Sequence, residues 1–155
     1  MLEHGQKAPD FRLQGDDGAS IQLSRFKGRR VIVYFYPKDD TSGCTAEARD
    51  FTSRAADFVA TEAEIIGISP DSVASHHKFK AKYDLAVRLA ADEDKAAALA
   101  YGVWVEKSMY GKKYMGVERS TFLIDKAGKI ARIWRKVKVP GHVEEVLDAL
   151  KDLGA

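Results

Sequence analysis

Val31 to Tyr36, six apolar residues in a row stopped by Pro37, constrain the fold of this chain more than any other stretch. All six are β-branched or aromatic, and the run is too short for an ordinary helix, so it predicts a fully buried strand. Pro37 ends it, because proline has no N–H to give a ladder and fixes its own φ. A polar, turn-rich segment follows from Lys38 to Gly43, and then the periodicity becomes helical. Cys44, Ala48, Phe51, Ala55 and Phe58 fall along one stripe of a helix. Glu64 to Ser69 is a second apolar run. Residues 31 to 69 are therefore predicted to form a strand–helix–strand crossover with parallel strands and a right-handed connection.

The flanking segments extend this unit. Phe11–Gln14 and Ile21–Leu23 flank Gly15–Gly18 and predict an N-terminal hairpin with a longer loop, and Ser24–Gly28 is a turn into the central strand. A helix is expected to start at Pro70-Asp71, with Val73, His77, Phe79 and Tyr83 facing inward. Val87–Ala90 reads as a short strand, and Lys95–Tyr101 as a helix ended by Gly102. Thr121–Ile124 and Ile130–Trp134 predict a second hairpin. Val143, Val146, Leu147 and Leu150 mark a final amphipathic helix, with Gly154 as its stop. At 155 residues, without repeat, low-complexity tract or linker, the chain is expected to be one domain spanning residues 1–155.

Charge and composition exclude several function classes. The 25 basic and 23 acidic residues nearly balance, so neither nucleic acid nor an anionic membrane is implied as a partner. No apolar run approaches a membrane span, and the first ten residues have no apolar core of a signal peptide. The single cysteine rules out an internal disulfide framework, and a cytoplasmic, reducing location is the expectation.

That cysteine, Cys44, falls in the first turn of the predicted helix, on its inward face. The first N–H groups of a helix lack intrahelical partners and carry partial positive charge, which favours the thiolate, the nucleophilic form. A lone cysteine on an apolar face is equally compatible with plain packing, so its neighbours decide. Pro37, Thr41 and Cys44 form the pattern P-x-x-x-T-x-x-C. The Thr41 hydroxyl, three residues before the sulfur, can donate to it or to a bound oxygen, and Pro37 closes one side of the pocket against water.

This pattern resembles the signature of the peroxiredoxins. Tyr36-Pro37-Lys38-Asp39-Asp40-Thr41-Ser42-Gly43-Cys44-Thr45-Ala46-Glu47-Ala48 is similar in particular to the bacterioferritin-comigratory, or Q, branch. Gly5 to Phe11 and Tyr110 to Asp125 match in the right order, so the resemblance covers nearly the whole chain. It implies an α/β, thioredoxin-like fold, a central mixed sheet flanked by helices, with an N-terminal hairpin extension. It also implies a thiol peroxidase that needs no cofactor or metal and acts in antioxidant defence, as a monomer or weak homodimer. Cys44 is then the peroxidatic residue, attacking hydrogen peroxide or an organic hydroperoxide. Arg119 matches the arginine that donates to the peroxide oxygens and holds the thiolate. A fixed guanidinium suits both tasks, with planar donors aimed at developing charge. Glu47 resembles the glutamate that orients this arginine.

One departure matters. Many members of the branch carry a resolving cysteine five residues after the peroxidatic one, where this chain has Arg49, and others carry it in the following helix, where none exists. A sulfenic acid on Cys44 then has no internal thiol to condense with, and an external one is implied: thioredoxin, glutaredoxin or glutathione. A different class of function is a redox-sensing or chaperone-like binding protein oxidised once at Cys44. A thioredoxin-like oxidoreductase is disfavoured by the lack of a C-x-x-C. His76-His77 has no Cys or carboxylate at ligand spacing and reads as solvated or packed. Trp104, Met109, Tyr110 and Tyr114 fit either one wall of a substrate pocket or core packing.

Overall fold

The computed structural model describes residues 1–153; Gly154, the expected stop of the last helix, lies outside them. The apolar run forms β3 (Arg30–Phe35), whose six residues are all buried. Alternation along a strand sends Ile32, Tyr34 and Tyr36 into one core and Val31, Val33 and Phe35 into another, on opposite faces of the sheet. β3 pairs in parallel with β4 (Ala63–Ser69), which pairs in parallel with β5 (Arg88–Ala91). On its other side β3 pairs antiparallel with β8 (Ser120–Ile124), and β8 with β9 (Ile130–Trp134). The expected crossover and second hairpin are both present.

The N-terminal hairpin, β1 (Arg12–Gly15) and β2 (Ser20–Gln22), is part of the main sheet. β1 pairs antiparallel with β5, placing Gly15 opposite Ala90, so seven strands run in the order β2-β1-β5-β4-β3-β8-β9. Four helices contribute to the first core: α1 (Ser42–Ser53), α2 (Ala55–Ala60), α3 (Val73–Tyr83) and α5 (His142–Asp152). The second core takes Ala97, Ala98 and Tyr101 from α4 (Ala96–Ala100) and its end, together with Phe11 and Leu23.

Two expectations are corrected, and one element was not anticipated. The stripe from Cys44 to Phe58 is two helices, because Arg54 leaves helical geometry at φ −109°, ψ 14°. The break lets Phe58 turn back onto Phe51, with ring centroids 5.7 Å apart, while Ala55 is only partly buried. On α3 the fully buried histidine is His76, and His77 faces outward. The helix begins at Val73 with Ser72 as its cap, accepting from Ser75 N–H at 3.1 Å, and this phase turns residues 76 and 79 to the core. The unanticipated element is a two-stranded hairpin over residues 104 to 117, β6 (Trp104–Met109) and β7 (Lys112–Val117), pairing with no other strand among the described residues. Its two-residue loop, Tyr110-Gly111, has positive φ at both positions, the conformation that matches strand twist.

One glycine is fixed by packing. Gly67 lies opposite Tyr34 in the β3–β4 ladder, and a Cβ there would sit 2.6 Å from the Tyr34 ring. Tyr34 is itself stacked on Phe51 at 4.8 Å and cannot withdraw. Gly67→Ala should therefore destabilise the fold by about 1–3 kcal/mol through overpacking, read as a lower urea midpoint at unchanged slope.

Candidate active site

The end of β3 and the start of α1 are joined by a loop that is tied down residue by residue. Asp39 is buried. Its carboxylate accepts from Tyr36 OH at 2.6 Å and Ser75 OH at 2.8 Å, and its Oδ2 lies 2.7 Å from Nδ1 of His76. The other ring nitrogen of His76 is 3.0 Å from the Ala90 carbonyl. A carbonyl only accepts, so Nε2 is the ring nitrogen that donates to it. The Asp39 backbone N–H donates to Asp71 Oδ2 at 2.8 Å, and Ser69 OH donates to the same oxygen at 2.6 Å. Asp40 sits in the left-handed region at φ 59° and accepts from Lys82 at 2.7 Å and Tyr83 OH at 2.6 Å. Asp39, Asp71 and His76 each offer a ligand atom within 4.8 Å of one another. These atoms are all engaged in the hydrogen bonds just described, so the cluster acts as a fastening between loop and α3.

The turn at Asp40 aims Thr41 differently from the expectation. Its hydroxyl donates to the Lys38 carbonyl at 2.9 Å, closing the loop, and makes no bond to sulfur. The left-handed residue between them doubles the chain back and brings that carbonyl under the side chain. Thr41 nevertheless caps α1 through its backbone: its carbonyl accepts from Thr45 N–H at 2.8 Å. Pro37, partly buried, follows the last residues of the strand.

Cys44 is the third residue of α1 and only 2 % exposed. Arg119 reaches it from the opposite side of the β3–β8 ladder, because it immediately precedes β8, whose Ser120 pairs with Phe35. Its Nη2 donates to Cys44 Sγ at 3.3 Å, and its Nη1 donates to Glu47 Oε1 at 2.7 Å. The Arg119 carbonyl accepts from Val137 N–H at 2.9 Å, which fixes the backbone from β9's side. Gly43 makes room for the guanidinium, since a Cβ there would lie 3.2 Å from Nη2. The planar fork of arginine is what allows one cation to serve sulfur and carboxylate together.

Glu47 is fully buried. Burial pushes its carboxyl up to about 7, while the charge and hydrogen bond of Arg119 pull the other way. Its Oε2 and the buried Tyr34 hydroxyl find no partner among the described residues. Behind Arg119, Nε2 of His142 lies 2.8 Å from the Thr121 hydroxyl, and burial, then the Arg119 charge, push this imidazole down to about 4. His142 is thus neutral at pH 7 and adds no second positive charge beside Arg119.

Lys107 on β6 is a cation that sequence reasoning missed. Burial and Arg119 lower its affinity for a proton, while Glu118 and Cys44 raise it, so its charge acts on the site. It lies on an exposed hairpin whose existence the sequence did not signal. Trp104 packs on the second core, whereas Met109, Tyr110 and Tyr114 are exposed on that hairpin and belong to no core.

Glu47 makes the site sensitive to pH in a defined direction. Between about 4.5 and 7 the folded chain keeps a proton on Glu47 that the unfolded chain has released, so its contribution to stability falls as pH rises through that window. Glu47→Gln removes the titration with little change of shape. Urea unfolding at pH 4.5 and pH 8 should show wild type losing stability relative to the variant at the higher pH, by at most about 3 kcal/mol. An equal difference at both values would show that the carboxyl is not perturbed by burial.

The geometry agrees with what the chain is similar to. Residues 4–133 match the model of the AhpC/TSA family. The chain is 52% identical over 152 residues to Peroxiredoxin Bcp of Bacillus subtilis, covering 98% of this chain and 97% of that protein. It is 39% identical to Peroxiredoxin Bcp of Escherichia coli, covering 97% of each. Among solved structures, the bacterioferritin comigratory protein of Xanthomonas campestris superposes with a TM-score of 0.92 at 41% identity, covering 99% of this chain and 100% of that one. A cysteine-to-serine variant of Xylella fastidiosa PrxQ gives 0.95 at 36% identity, covering 100% and 99%. With a seven-stranded thioredoxin-like sheet and a buried cysteine bonded to arginine at the first turn of a helix, this chain belongs to the AhpC/TSA family, in its peroxiredoxin Bcp/Q branch.

Proposed function

We propose that the protein is a one-cysteine thiol peroxidase in which Cys44 attacks hydrogen peroxide or an organic hydroperoxide. The observation that carries this reading is the Arg119 Nη2 donor 3.3 Å from a cysteine sulfur in the first turn of α1. The Cys44 thiolate displaces on the nearer peroxide oxygen. An S–O bond forms, the O–O bond breaks, and the leaving hydroxide or alkoxide takes up a proton, leaving Cys44 as sulfenic acid. Negative charge passes from sulfur to the departing oxygen, and the fixed guanidinium faces that path. Glu47 holds the guanidinium in place. Thr41, released from the Lys38 carbonyl by rotation about its side chain, supplies a hydroxyl to the bound oxygen, and Pro37 limits water at the sulfur.

Organic hydroperoxides are included because the Xanthomonas campestris relative is described through its alkyl peroxide reduction activity. That organism's peroxiredoxin Q has been solved with either of two cysteines replaced, whereas this chain has Cys44 alone. The sulfenic acid here is reduced by an external thiol: a mixed disulfide forms with loss of water, and a second thiol frees Cys44. Arg49, at the position expected for a resolving cysteine, is exposed on α1. A reducing, cytoplasmic setting supplies such thiols.

Peroxide consumption with thioredoxin, glutaredoxin and glutathione in turn tests the assignment. Sustained turnover with at least one of them is expected, and consumption of one equivalent per protein would overturn it. Cys44→Ser should abolish turnover. Arg119→Ala should slow the single-turnover reaction with peroxide by roughly two or more orders of magnitude and also slow alkylation of Cys44 by iodoacetamide at pH 7. Unchanged alkylation would show that the guanidinium does not support the thiolate.

A second outcome follows from the missing thiol. Excess peroxide without reductant should carry Cys44 to sulfinic and sulfonic acid, or to a Cys44–Cys44 disulfide between molecules. Intact-mass measurement gives additions of two or three oxygens, or a dimer. A stable unmodified monomer after such treatment would mean that Cys44 is not oxidised by peroxide.

A further inference from the structure

The hairpin β6–β7 pairs with no other strand, yet a ribbon of two strands is marginal by itself. Its base is tied to the site: Glu118 N–H donates to the Val103 carbonyl at 2.8 Å, and Arg119 is the next residue. Across the ladder Lys107 pairs with Tyr114 and Met109 with Lys112. Alternation therefore puts Lys107, Met109, Lys112 and Tyr114 on one face, the face whose Lys107 charge acts on Cys44. Met109 is 57% exposed, Tyr114 44%, and Tyr110 at the tip 99%. Exposed methionine and tyrosine side by side are the composition of contact surfaces, aromatic anchors beside an adaptable thioether.

The charge says what kind of partner fits. Between Trp104 and Val117 three lysines stand against one glutamate, in a chain otherwise close to neutral. A second copy of this chain would bring like charges together, whereas an acidic surface would be attracted and steered. We propose that the β6–β7 hairpin is the docking face for the protein thiol that reduces Cys44, a small dithiol protein with an acidic surface around its reactive cysteine. This rests on the peroxidase reading above. A free thiol as small as a tripeptide has no use for two six-residue strands of roughly 20 Å, while a protein must place its own sulfur against a Cys44 that is 2 % exposed. The hairpin ends at Val117, two residues before the arginine that touches that sulfur, and offers the contact area alongside it.

The test compares two electron donors on the same enzyme: an acidic bacterial thioredoxin with its reductase and NADPH, and dithiothreitol. Lys112→Glu should lower kcat/KM for thioredoxin severalfold, and Met109→Ser/Tyr110→Ser should raise KM for thioredoxin severalfold. Turnover with dithiothreitol should stay within twofold of wild type for both, which also shows that the variants fold. Wild-type turnover with thioredoxin, but not with dithiothreitol, should fall as NaCl rises from 20 to 500 mM. Equal losses with both donors, no loss with thioredoxin, or turnover with dithiothreitol but none with thioredoxin would overturn the docking proposal. So would a homodimer on gel filtration that the hairpin substitutions dissociate, since a second copy would then cover this face. Absence of turnover with any thiol, dithiothreitol included, would instead overturn the peroxidase reading and this proposal with it.

Discussion

One guanidinium holds the site together. Arg119 divides its fork between the Cys44 sulfur and the Glu47 carboxylate, and much of the neighbouring structure serves that division. The β3–β8 register sets Arg119 one step beyond Ser120, opposite the end of the strand that leads into the cysteine loop. Gly43 leaves out the side chain that would collide with it, and the Val137 N–H clamps its carbonyl. His142 stays neutral behind it. Burying a carboxylate with a single partnered oxygen is costly, and a buried ion pair need not add to stability. On the proposed peroxidase reading the arrangement makes sense as preorganisation: the guanidinium donors are in place before any charge moves.

The opposite side of the cysteine is anchored by different chemistry. Asp39 and Asp40 fasten the loop to α3 through His76, Ser75, Lys82 and Tyr83, the first set buried and the second exposed. The first turn of α1 is thereby suspended between α3 and β8, with no side-chain cap of its own at Thr41. Its firmness comes from its neighbours rather than from its own sequence. Ala46 and Ala48 favour helix only weakly against such constraints.

The parts of this fold that could be read from the chain are those where one physical effect dominates. Val31 to Tyr36 had to be a buried strand, and the Cys44–Ala48–Phe51 stripe had to face it. Pro37 marked the boundary between them. The β6–β7 hairpin was hidden because its strands are mostly polar and, away from Trp104 and Val117 at the base, bury no apolar face, and its turn is Tyr-Gly rather than a stronger Asn-Gly signal. His76 was misread beside His77 because its partner, Asp39, is 37 positions away and only the sheet brings them together. The Thr41 hydroxyl was assigned from spacing alone, and spacing says nothing of the left-handed turn at Asp40 that offers it a carbonyl. Glu47 and Arg119 came from resemblance; their contact, 72 positions apart, has no local signature.

The distance along the chain from Cys44 to Arg119, 75 positions, has a consequence for the protein's synthesis. At roughly 5–20 residues per second, the ribosome adds Arg119 some 4–15 s after Cys44. Over that interval the emerging chain holds a thiol with neither its guanidinium nor the strand that delivers it. The nascent polypeptide therefore carries a cysteine without its arginine, and the Cys44–Arg119 contact forms only when the second half of the sheet closes on the first. On the peroxidase reading, the fold thus acts as a timer, withholding the guanidinium from the thiol until the rest of the site is in place to use it.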